Sequence, residues 1–185
     1  MGETIREQKI LAIKGDTYNK YLISNFKEYF GKNLLDVGCS IGNLIKFFLN
    51  KDMVIGIDID KKALKIAEKR YKNYKNFKAL CLDISKKDSL KLKGYNIDTV
   101  FSSNVIEHIK DDQAAFNNIF KILRKNGRFL LLVPSIKTLY GTMDNYDGHY
   151  RRYSKKELLY KLKKAGFVIE NIRYINFFGI LGWYT

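Results

Sequence analysis

Two glycines and an aspartate have the spacing of a nucleotide-binding turn. Gly38 and Gly42 follow an apolar run at 33–37, and Asp58 ends a second apolar run at 53–58. Glycines let the backbone turn sharply and approach a ligand closely, while a carboxylate about 20 residues further on can accept hydrogen bonds from a ribose diol. These residues therefore predict a site for a nucleoside-containing cofactor.

The turn does not fit either of the two common phosphate-binding patterns. A dinucleotide site usually has three glycines in the order Gly-x-Gly-x-x-Gly, and the third is missing from Gly38-Cys39-Ser40-Ile41-Gly42. The Gly-Lys-Ser/Thr sequence of a P-loop does not follow either. Neither a pyrophosphate nor a triphosphate is therefore the expected ligand.

The apolar pattern around this turn predicts a doubly wound α/β fold. Short uninterrupted apolar runs alternate with segments of helical period, which is typical of a mostly parallel sheet covered by helices on both faces. The predicted strands are 33–37, 53–58, 77–82, 97–102, 127–133 and 167–174. The predicted helices between them are 43–50, 62–71, 112–124 and 154–165.

Length and composition predict a single domain. The 185 residues, 46% of them apolar, suffice for one packed core. We expect residues 1–31 to form a helical cover and 33–135 to form a cofactor-binding core. Residues 136–185 would supply a long acceptor-side loop, a helix that begins with the capping pair Ser154 and Glu157, and a sixth strand.

Charge and composition limit the classes of partner. A net charge of +15 is compatible with nucleic-acid binding, but most basic residues are lysines spread over predicted helix faces, so this partner is possible but not favoured. No apolar stretch approaches the roughly 20 residues that span a bilayer. The N-terminus also lacks the apolar centre of a signal peptide, so we expect a cytoplasmic protein without a transmembrane segment.

The ligand-type residues do not predict a metal site. The chain has two cysteines and two histidines, and the histidines are widely spaced in the sequence. No group of them has the spacing of a zinc site, so we expect no metal. Nothing in the sequence indicates an oligomeric state.

Five motifs occur in the order found in class I S-adenosylmethionine-dependent methyltransferases, and the chain resembles the small-molecule branch of that family. The motifs are LLDVGCSIGN, VIGIDID, CLDIS, IDTVFSSNVIEHI and LRKNGRFLLLVPS, and the match covers roughly residues 33–135. Each stands near the carboxyl end of a predicted strand, where open α/β sheets bind ligands. The resemblance implies a Rossmann-like sheet and an enzyme that converts S-adenosylmethionine to S-adenosylhomocysteine.

The resemblance also implies nine cofactor contacts at the ends of the first four strands. At the first strand, the residues that would face the methionine portion are Asp36, Gly38, Cys39 and Gly42. After the second strand, Asp58 would hold the ribose and Ile59 would pack on the adenine; after the third, Asp83 and Ile84 would bind the polar edge of the adenine. Asn104, after the fourth, would lie beside the methionine portion. From position alone, the acids at 58 and 83 could also be helix caps.

The long loop contains the candidates for acceptor chemistry. Residues 146–153 resemble a Gly-His-x-Arg-Arg-Tyr segment of a subgroup that includes members similar to enzymes acting on glycans or lipid-linked intermediates. We predict His149 as a catalytic base and His108, just past the fourth strand, as a second catalytic candidate. The predicted acceptor contacts are Tyr146, Arg151, Arg152 and Tyr153. As an alternative, hydrogen bonds from the last two of these would pin the loop against the sheet.

The sequence as a whole predicts methyl transfer to an oxygen or nitrogen of a small-molecule, glycan or lipid-linked acceptor. One alternative is an RNA methyltransferase, although Ser103-Asn104-Val105-Ile106 stands where an amine-methylating Asn/Asp-Pro-Pro-Tyr/Phe signature would lie. Another is a non-catalytic cofactor-binding module. The family normally ends with a seventh, antiparallel strand, and we expect this chain to stop before it.

Overall fold

One parallel sheet organises the computed structural model, which describes residues 16–175. The five strands are β1 (Asn33–Val37), β2 (Met53–Asp58), β3 (Phe77–Cys81), β4 (Thr99–Ser103) and β5 (Arg128–Leu132). Their order across the sheet is β3-β2-β1-β4-β5, and every neighbouring pair is parallel. This architecture confirms the predicted doubly wound α/β class. The order reverses beside β1, which is the position where such sheets bind ligands.

The helices in the described part of the chain are α1 (Asp16–Ser24), α2 (Lys61–Arg70), α3 (Asp112–Ile122), α4 (Thr142–Asp147) and α5 (Lys155–Ala165). Side chains cap the starts of α2, α3 and α5. Asp60 accepts hydrogen bonds from two backbone N–H groups of α2, and Ser154 accepts one from Glu157 N–H at 3.2 Å. Such caps satisfy amides that have no partner within the helix, so the sequence itself determines where α2 and α5 begin.

The strands carry apolar side chains on both sides because both faces of the sheet are covered. Successive side chains of a strand point to opposite faces, and here Leu34 and Leu35 of β1 belong to two different buried clusters. Val100 and Phe101 of β4 divide in the same way. The sheet is therefore a rigid central layer, and its carboxyl edge can position a site accurately.

The segment predicted as a helix at 43–50 is instead a series of tight turns around a 3₁₀ helix at Ile45–Phe47. Its backbone bonds connect residues three apart, such as Phe48 N–H to the Ile45 carbonyl. Side chains three apart lie above one another in this geometry, and Ile45 and Phe48 are both fully buried. The tighter turn places both on the sheet, which explains why the prediction of an α-helix was wrong.

The sixth strand predicted at 167–174 is not a strand. In the described residues it runs as an extended segment held by side chains, with Phe167 packed against Phe120 and Phe129 at 5.1 and 5.5 Å between ring centroids. Glu170 pairs with Arg128 at 3.2 Å. A cavity of about 260 Å³ lies between this segment and β5. Its backbone therefore lacks a neighbouring strand with which to form a ladder.

The long connection after β5 has more structure than its sequence suggested. It contains a 3₁₀ turn at Lys137–Leu139 and the short helix α4. The start of α4 is fixed because Gly141 N–H donates to the Asp144 carboxylate at 3.0 Å.

None of the helices in residues 16–175 combines the length and apolarity needed to cross a bilayer. Parts of the predicted N-terminal cover and chain end, residues 1–15 and 176–185, lie outside the described residues.

Candidate cofactor and acceptor site

The glycine turn after β1 is held to the end of β2 by hydrogen bonds. Asp58 Oδ2 accepts from Ser40 N–H at 2.8 Å, and Asp58 Oδ1 accepts from Asp60 N–H at 2.9 Å. The backbone N–H groups of Gly38 and Cys39 both donate to the carbonyl of Ile57. Each carboxylate oxygen has two lone-pair sites, so Asp58 can accept ribose hydroxyls while it keeps these contacts.

The two glycines of the turn are required by their backbone angles and by their neighbours. Gly38 and Gly42 have φ values of 75° and 80°, which side chains rarely tolerate. A Cβ atom at Gly38 would lie 2.3 Å from a methyl carbon of Val105, and one at Gly42 would lie 2.8 Å from the ring of Tyr71. The turn therefore brings the backbone close to the side chains around it.

Asp36 is a buried acid, and one of its carboxylate oxygens lacks a hydrogen-bond donor among the described residues. Its side chain is 3% exposed, and among the described residues its Oδ2 has no hydrogen-bond donor. Burial, with the nearby charge of Asp58, raises the pKa of Asp36 to about 8. An orphaned buried acceptor at the end of β1 fits a ligand with a positively charged amino group, since such a group would supply the missing donor.

The residues after β2 and β3 form a partly apolar surface at the carboxyl edge of the sheet. Ile59 is 73% exposed, which is unusual for so apolar a side chain. Asp83 Oδ1 accepts hydrogen bonds from the N–H and the hydroxyl of Ser85, at 2.8 and 2.7 Å. Ile84 is buried, and its carbonyl accepts from Asn118. An exposed apolar side chain beside fixed polar groups is an arrangement that can receive a flat heterocycle such as adenine.

Asn104 completes this edge after β4. Its φ is 52°, a left-handed conformation that asparagine adopts more readily than most residues, and its N–H donates to the Leu132 carbonyl at 3.0 Å. The carboxyl ends of β3, β2, β1 and β4 are adjacent in the sheet. The structure therefore brings all nine predicted cofactor residues to one edge, and none of them lines the cavity beside β5.

A second polar group lies next to this edge, where residues 106–108 meet the end of α4. The imidazoles of His108 and His149 lie edge to face with ring centroids 4.6 Å apart. Glu107, beneath them, is fully buried, and neither of its carboxylate oxygens has a hydrogen-bond partner in the described chain. Burial raises the pKa of Glu107 to about 8, whereas burial and the proximity of His149 lower the pKa of His108.

The buried acid Asp144 fixes the orientation of His149. Its Oδ1 lies 2.8 Å from His149 Nδ1 and 2.8 Å from Arg152 Nε. Burial alone would raise the pKa of Asp144, but the hydrogen bonds from Arg152 and His149 outweigh it and the pKa lies below its usual value. Asp144 is therefore ionised, and the His149 nitrogen that faces it carries the proton.

The two arginines and the tyrosine predicted to contact the acceptor are bound within the chain. Arg151 donates to the backbone carbonyls of residues 109 and 110 and lies 3.1 Å from Asp112. Tyr153, 1% exposed, donates its hydroxyl to Asp112 Oδ2 at 2.7 Å. Arg152 is 5% exposed and pairs with Asp144. These contacts are those of the loop-pinning alternative. Tyr146, by contrast, is 74% exposed and free to meet a ligand.

Sequence reasoning missed two members of this group. The sequence alone assigns no role to Glu107, although Val105, Ile106 and Ile109 around it indicate burial of the segment. It assigns none to Asp144 either, because the contact of Asp144 with His149 depends on the unpredicted helix α4. No pattern in the sequence indicates that His108 and His149 meet.

A family model and several known proteins are similar to this chain. The model described as a methyltransferase domain matches residues 35–129. A protein of Mycolicibacterium smegmatis named as a probable S-adenosylmethionine-dependent methyltransferase is 29% identical over 148 residues, which are 76% of this chain and 54% of that protein. Juvenile hormone acid O-methyltransferase of Bombyx mori is 32% identical over 107 residues, covering 55% of this chain and 38% of that enzyme.

The fold has solved counterparts as well. Phosphoethanolamine N-methyltransferase 2 of Haemonchus contortus, in complex with phosphomonomethylethanolamine and S-adenosylhomocysteine, superposes with a TM-score of 0.65 at 23% identity. The match covers 83% of this chain and 37% of that one. The chain spans about half the length, or less, of these curated relatives.

Proposed function

Since the chain belongs to the class I S-adenosylmethionine-dependent methyltransferase family, we propose that it transfers a methyl group from S-adenosylmethionine to an oxygen or nitrogen of a small-molecule, glycan or lipid-linked acceptor. The observation that carries this proposal is the edge formed by the glycine turn, Asp58 and the orphaned carboxylate of Asp36. At one place these groups combine a backbone that a ligand can approach closely, a carboxylate that can accept from ribose hydroxyls, and a buried carboxylate oxygen that lacks a donor.

The residues of the edge would each hold a different part of the cofactor. Asp58 would accept hydrogen bonds from the ribose hydroxyls, and Ile59 would pack against the adenine. Asp83 and Ile84 would read the polar edge of the base, while Asp36 and the turn from Gly38 to Gly42 would hold the amino-acid portion. Asn104 would lie beside that portion. When bound, S-adenosylmethionine supplies a sulfonium-activated methyl group.

The acceptor would lie on the side of Asn104 that faces residues 106–108 and α4. His108 and His149 are part of the proposal as the catalytic pair, whose task is to activate the nucleophilic atom of the acceptor. Tyr146 would contact the acceptor from the surface of α4. The protein's other contribution is to align the acceptor and to exclude water, because methyl transfer is a direct displacement.

Relatives support both kinds of acceptor atom. The Bombyx mori protein is named as an O-methyltransferase of an acid, and the Haemonchus contortus protein is named as an N-methyltransferase of phosphoethanolamine. The names of these relatives therefore support an oxygen or a nitrogen of a small molecule as the acceptor, and they do not favour one particular substrate.

A methyl-transfer assay tests the proposal. The purified protein is incubated with donor carrying a radiolabelled methyl group and with separate panels of carboxylic acids, hydroxylated small molecules, amines, phosphorylated amines, lipid-linked glycans and RNA. We expect label in one of the non-RNA panels, and at least 10-fold less label with Asp58→Ala when the donor concentration is below its Kd for the wild type. Label in RNA alone would contradict the proposed acceptor class, and a folded protein that does not bind the donor would contradict the activity itself.

A further inference from the structure

We propose that Glu107, His108 and His149 bind one divalent transition-metal ion on the acceptor side of the site. One carboxylate oxygen and one nitrogen from each imidazole lie within 4.8 Å of one another. Atoms that share a zinc ion at about 2.0–2.2 Å lie roughly 3–4 Å apart, so the ligands need to close by only about 1 Å. This inference replaces our sequence-based expectation of no metal.

Glu107 provides the observation that points most directly to a cation. It is 0% exposed, and both of its carboxylate oxygens lack a hydrogen-bond donor among residues 16–175. An unpaired buried carboxylate is costly, and a buried charge is ordinarily paired or bound to a metal. A cation between the oxygen and the two imidazoles would satisfy it once the three ligands have closed around the ion by that distance.

His149 already has the orientation of a metal ligand. Asp144 is ionised because Arg152 and His149 both donate to it, so the His149 proton resides on Nδ1. The lone pair is then on Nε2, the nitrogen away from Asp144. Metal-binding histidines commonly donate their second nitrogen to a carboxylate in this way, which fixes the tautomer and increases the basicity of the ligating nitrogen.

The ring of His108 lies beside the ring of His149 in the proposed site. It lies edge to face with His149, and the backbone carbonyls of Asp147 and Gly148 at the end of α4 are close enough to interact with it. A carbonyl that accepts the proton of one ring nitrogen leaves the other nitrogen free to bind a cation. His149 thus has an acceptor outside the cluster and a lone pair for the ion, and the carbonyls at the end of α4 are close enough to take the same role for His108.

The donor set determines which ions fit. Two imidazoles and one carboxylate suit zinc, cobalt, nickel or iron(II), and they leave further positions on the ion for water or a ligand. Magnesium and calcium prefer sites made of oxygen atoms. Binding of the ion does not depend on the proposed methyl transfer. Its use to polarise the acceptor would rest on that function, since a metal ion lowers the pKa of a hydroxyl that it contacts.

Titration with Co²⁺ alone tests the site. Protein without a histidine tag is freed of metal with a chelator, and Co²⁺ binding is followed by visible absorption and by calorimetry. We expect one ion per chain, and at least a 10-fold loss of affinity in Glu107→Gln and in His149→Ala. Because the chain has only two histidines, His149→Ala leaves His108 as the one imidazole that could still bind the ion.

Three controls keep the result interpretable. Cys81→Ser removes the exposed thiol, and Glu68→Gln removes a carboxylate on α2; both should bind Co²⁺ as the wild type does. Thermal melts without metal confirm that each variant is folded, and Glu107→Gln should fold well because it replaces a buried carboxyl group that has no hydrogen-bond partner with a neutral group of the same shape. S-Adenosylhomocysteine binding is measured in parallel.

The outcomes separate this proposal from the proposed function. A folded wild type that binds S-adenosylhomocysteine but not Co²⁺ would overturn the metal site and leave the methyltransferase assignment standing. Co²⁺ binding that Glu107→Gln and His149→Ala leave unchanged would overturn it too, because the ion would then be elsewhere. Co²⁺ binding lost in both variants, with or without cofactor binding, would establish it.

Discussion

His108 and His149 are distant in sequence, yet their rings meet edge to face with centroids 4.6 Å apart. The contact joins the end of β4 to the end of α4, so it connects the cofactor edge with the acceptor loop. It depends on Asp144, which holds His149 and Arg152 through the same oxygen atom. The proposed acceptor side of the site is therefore supported by a buried ion pair.

The first prediction concerns that ion pair. Asp144→Ala leaves the 5%-exposed Arg152 without its buried carboxylate partner. Removing one partner of such a pair typically costs about 3–5 kcal/mol. We expect the free energy of unfolding, measured by urea denaturation, to fall by that amount. Asp147→Asn, an exposed position on the same helix, should change it by less than about 0.5 kcal/mol. Equal effects of the two substitutions would show that the pair does not support the loop.

The second prediction concerns the glycine turn. Gly38→Ala places a Cβ atom 2.3 Å from Val105 at a φ of 75°, so the turn must shift. The left-handed angle alone costs about 1–2 kcal/mol for a residue with a side chain. We expect loss of S-adenosylhomocysteine binding and a lower melting temperature. Gly94→Ala is the matched control, since no atom lies within 4 Å of its added Cβ, and it should be neutral. Unimpaired binding by Gly38→Ala would refute a close approach of the cofactor to this turn.

The third prediction separates cofactor binding from helix capping at the end of β2. Asp58→Ala removes the proposed ribose acceptor, and a hydrogen bond to a charged group is worth about 1.5–3 kcal/mol, which corresponds to roughly a 10- to 100-fold loss of affinity. Asp60→Ala removes the cap of α2 and should cost about 1 kcal/mol of stability with little change in affinity. Calorimetry with S-adenosylhomocysteine measures both. If Asp60→Ala were the more damaging to binding, the assignment of Asp58 would fail.

The fourth prediction is a pH dependence of stability that originates at Asp36. Its pKa is about 8 in the folded chain and 3.8 in a model peptide, so folding retains a proton that the unfolded chain releases. The contribution of Asp36 to stability therefore falls as pH rises from about 4 to 8. Asp36→Asn removes this penalty, and we expect the variant to gain about 1–3 kcal/mol over the wild type at neutral pH, with a smaller gain at pH 5. The same variant should bind the cofactor more weakly.

Urea denaturation at pH 5, 7 and 8.5 checks this prediction through the difference between the two proteins, which isolates Asp36 from the other titrating groups. A difference that is constant over this range would contradict the raised pKa. A gain in stability together with a loss of affinity would show that the buried acid is retained for binding, at the expense of the fold.

The fold was predictable because its main signals are local. The apolar runs at β1 and β2, the glycine turn and the capping pair Ser154 and Glu157 each depend on neighbouring residues, and all are where the sequence indicated. The two wrong elements depend on packing at a distance. Residues 43–50 form tighter turns because Ile45 and Phe48 bury together, and 167–174 is not a strand because its backbone has no neighbouring strand.

The candidate site divides in the same way. Asp58, Gly38 and Asn104 follow strands, and the order of a parallel sheet brings such residues to one edge. The contacts of Asp144 depend on α4, which the sequence did not predict. The surroundings of Arg151 and Tyr153 also depend on a distant residue, Asp112, and sequence spacing does not indicate it.

The most direct test of the central claim is a crystal structure of this chain with S-adenosylhomocysteine. We expect one molecule per chain along the carboxyl edge of β1 to β4, with its ribose hydroxyls within hydrogen-bond distance of Asp58 and its amino group beside Asp36. A ligand found elsewhere, such as in the cavity between β5 and residues 167–175, would contradict the account.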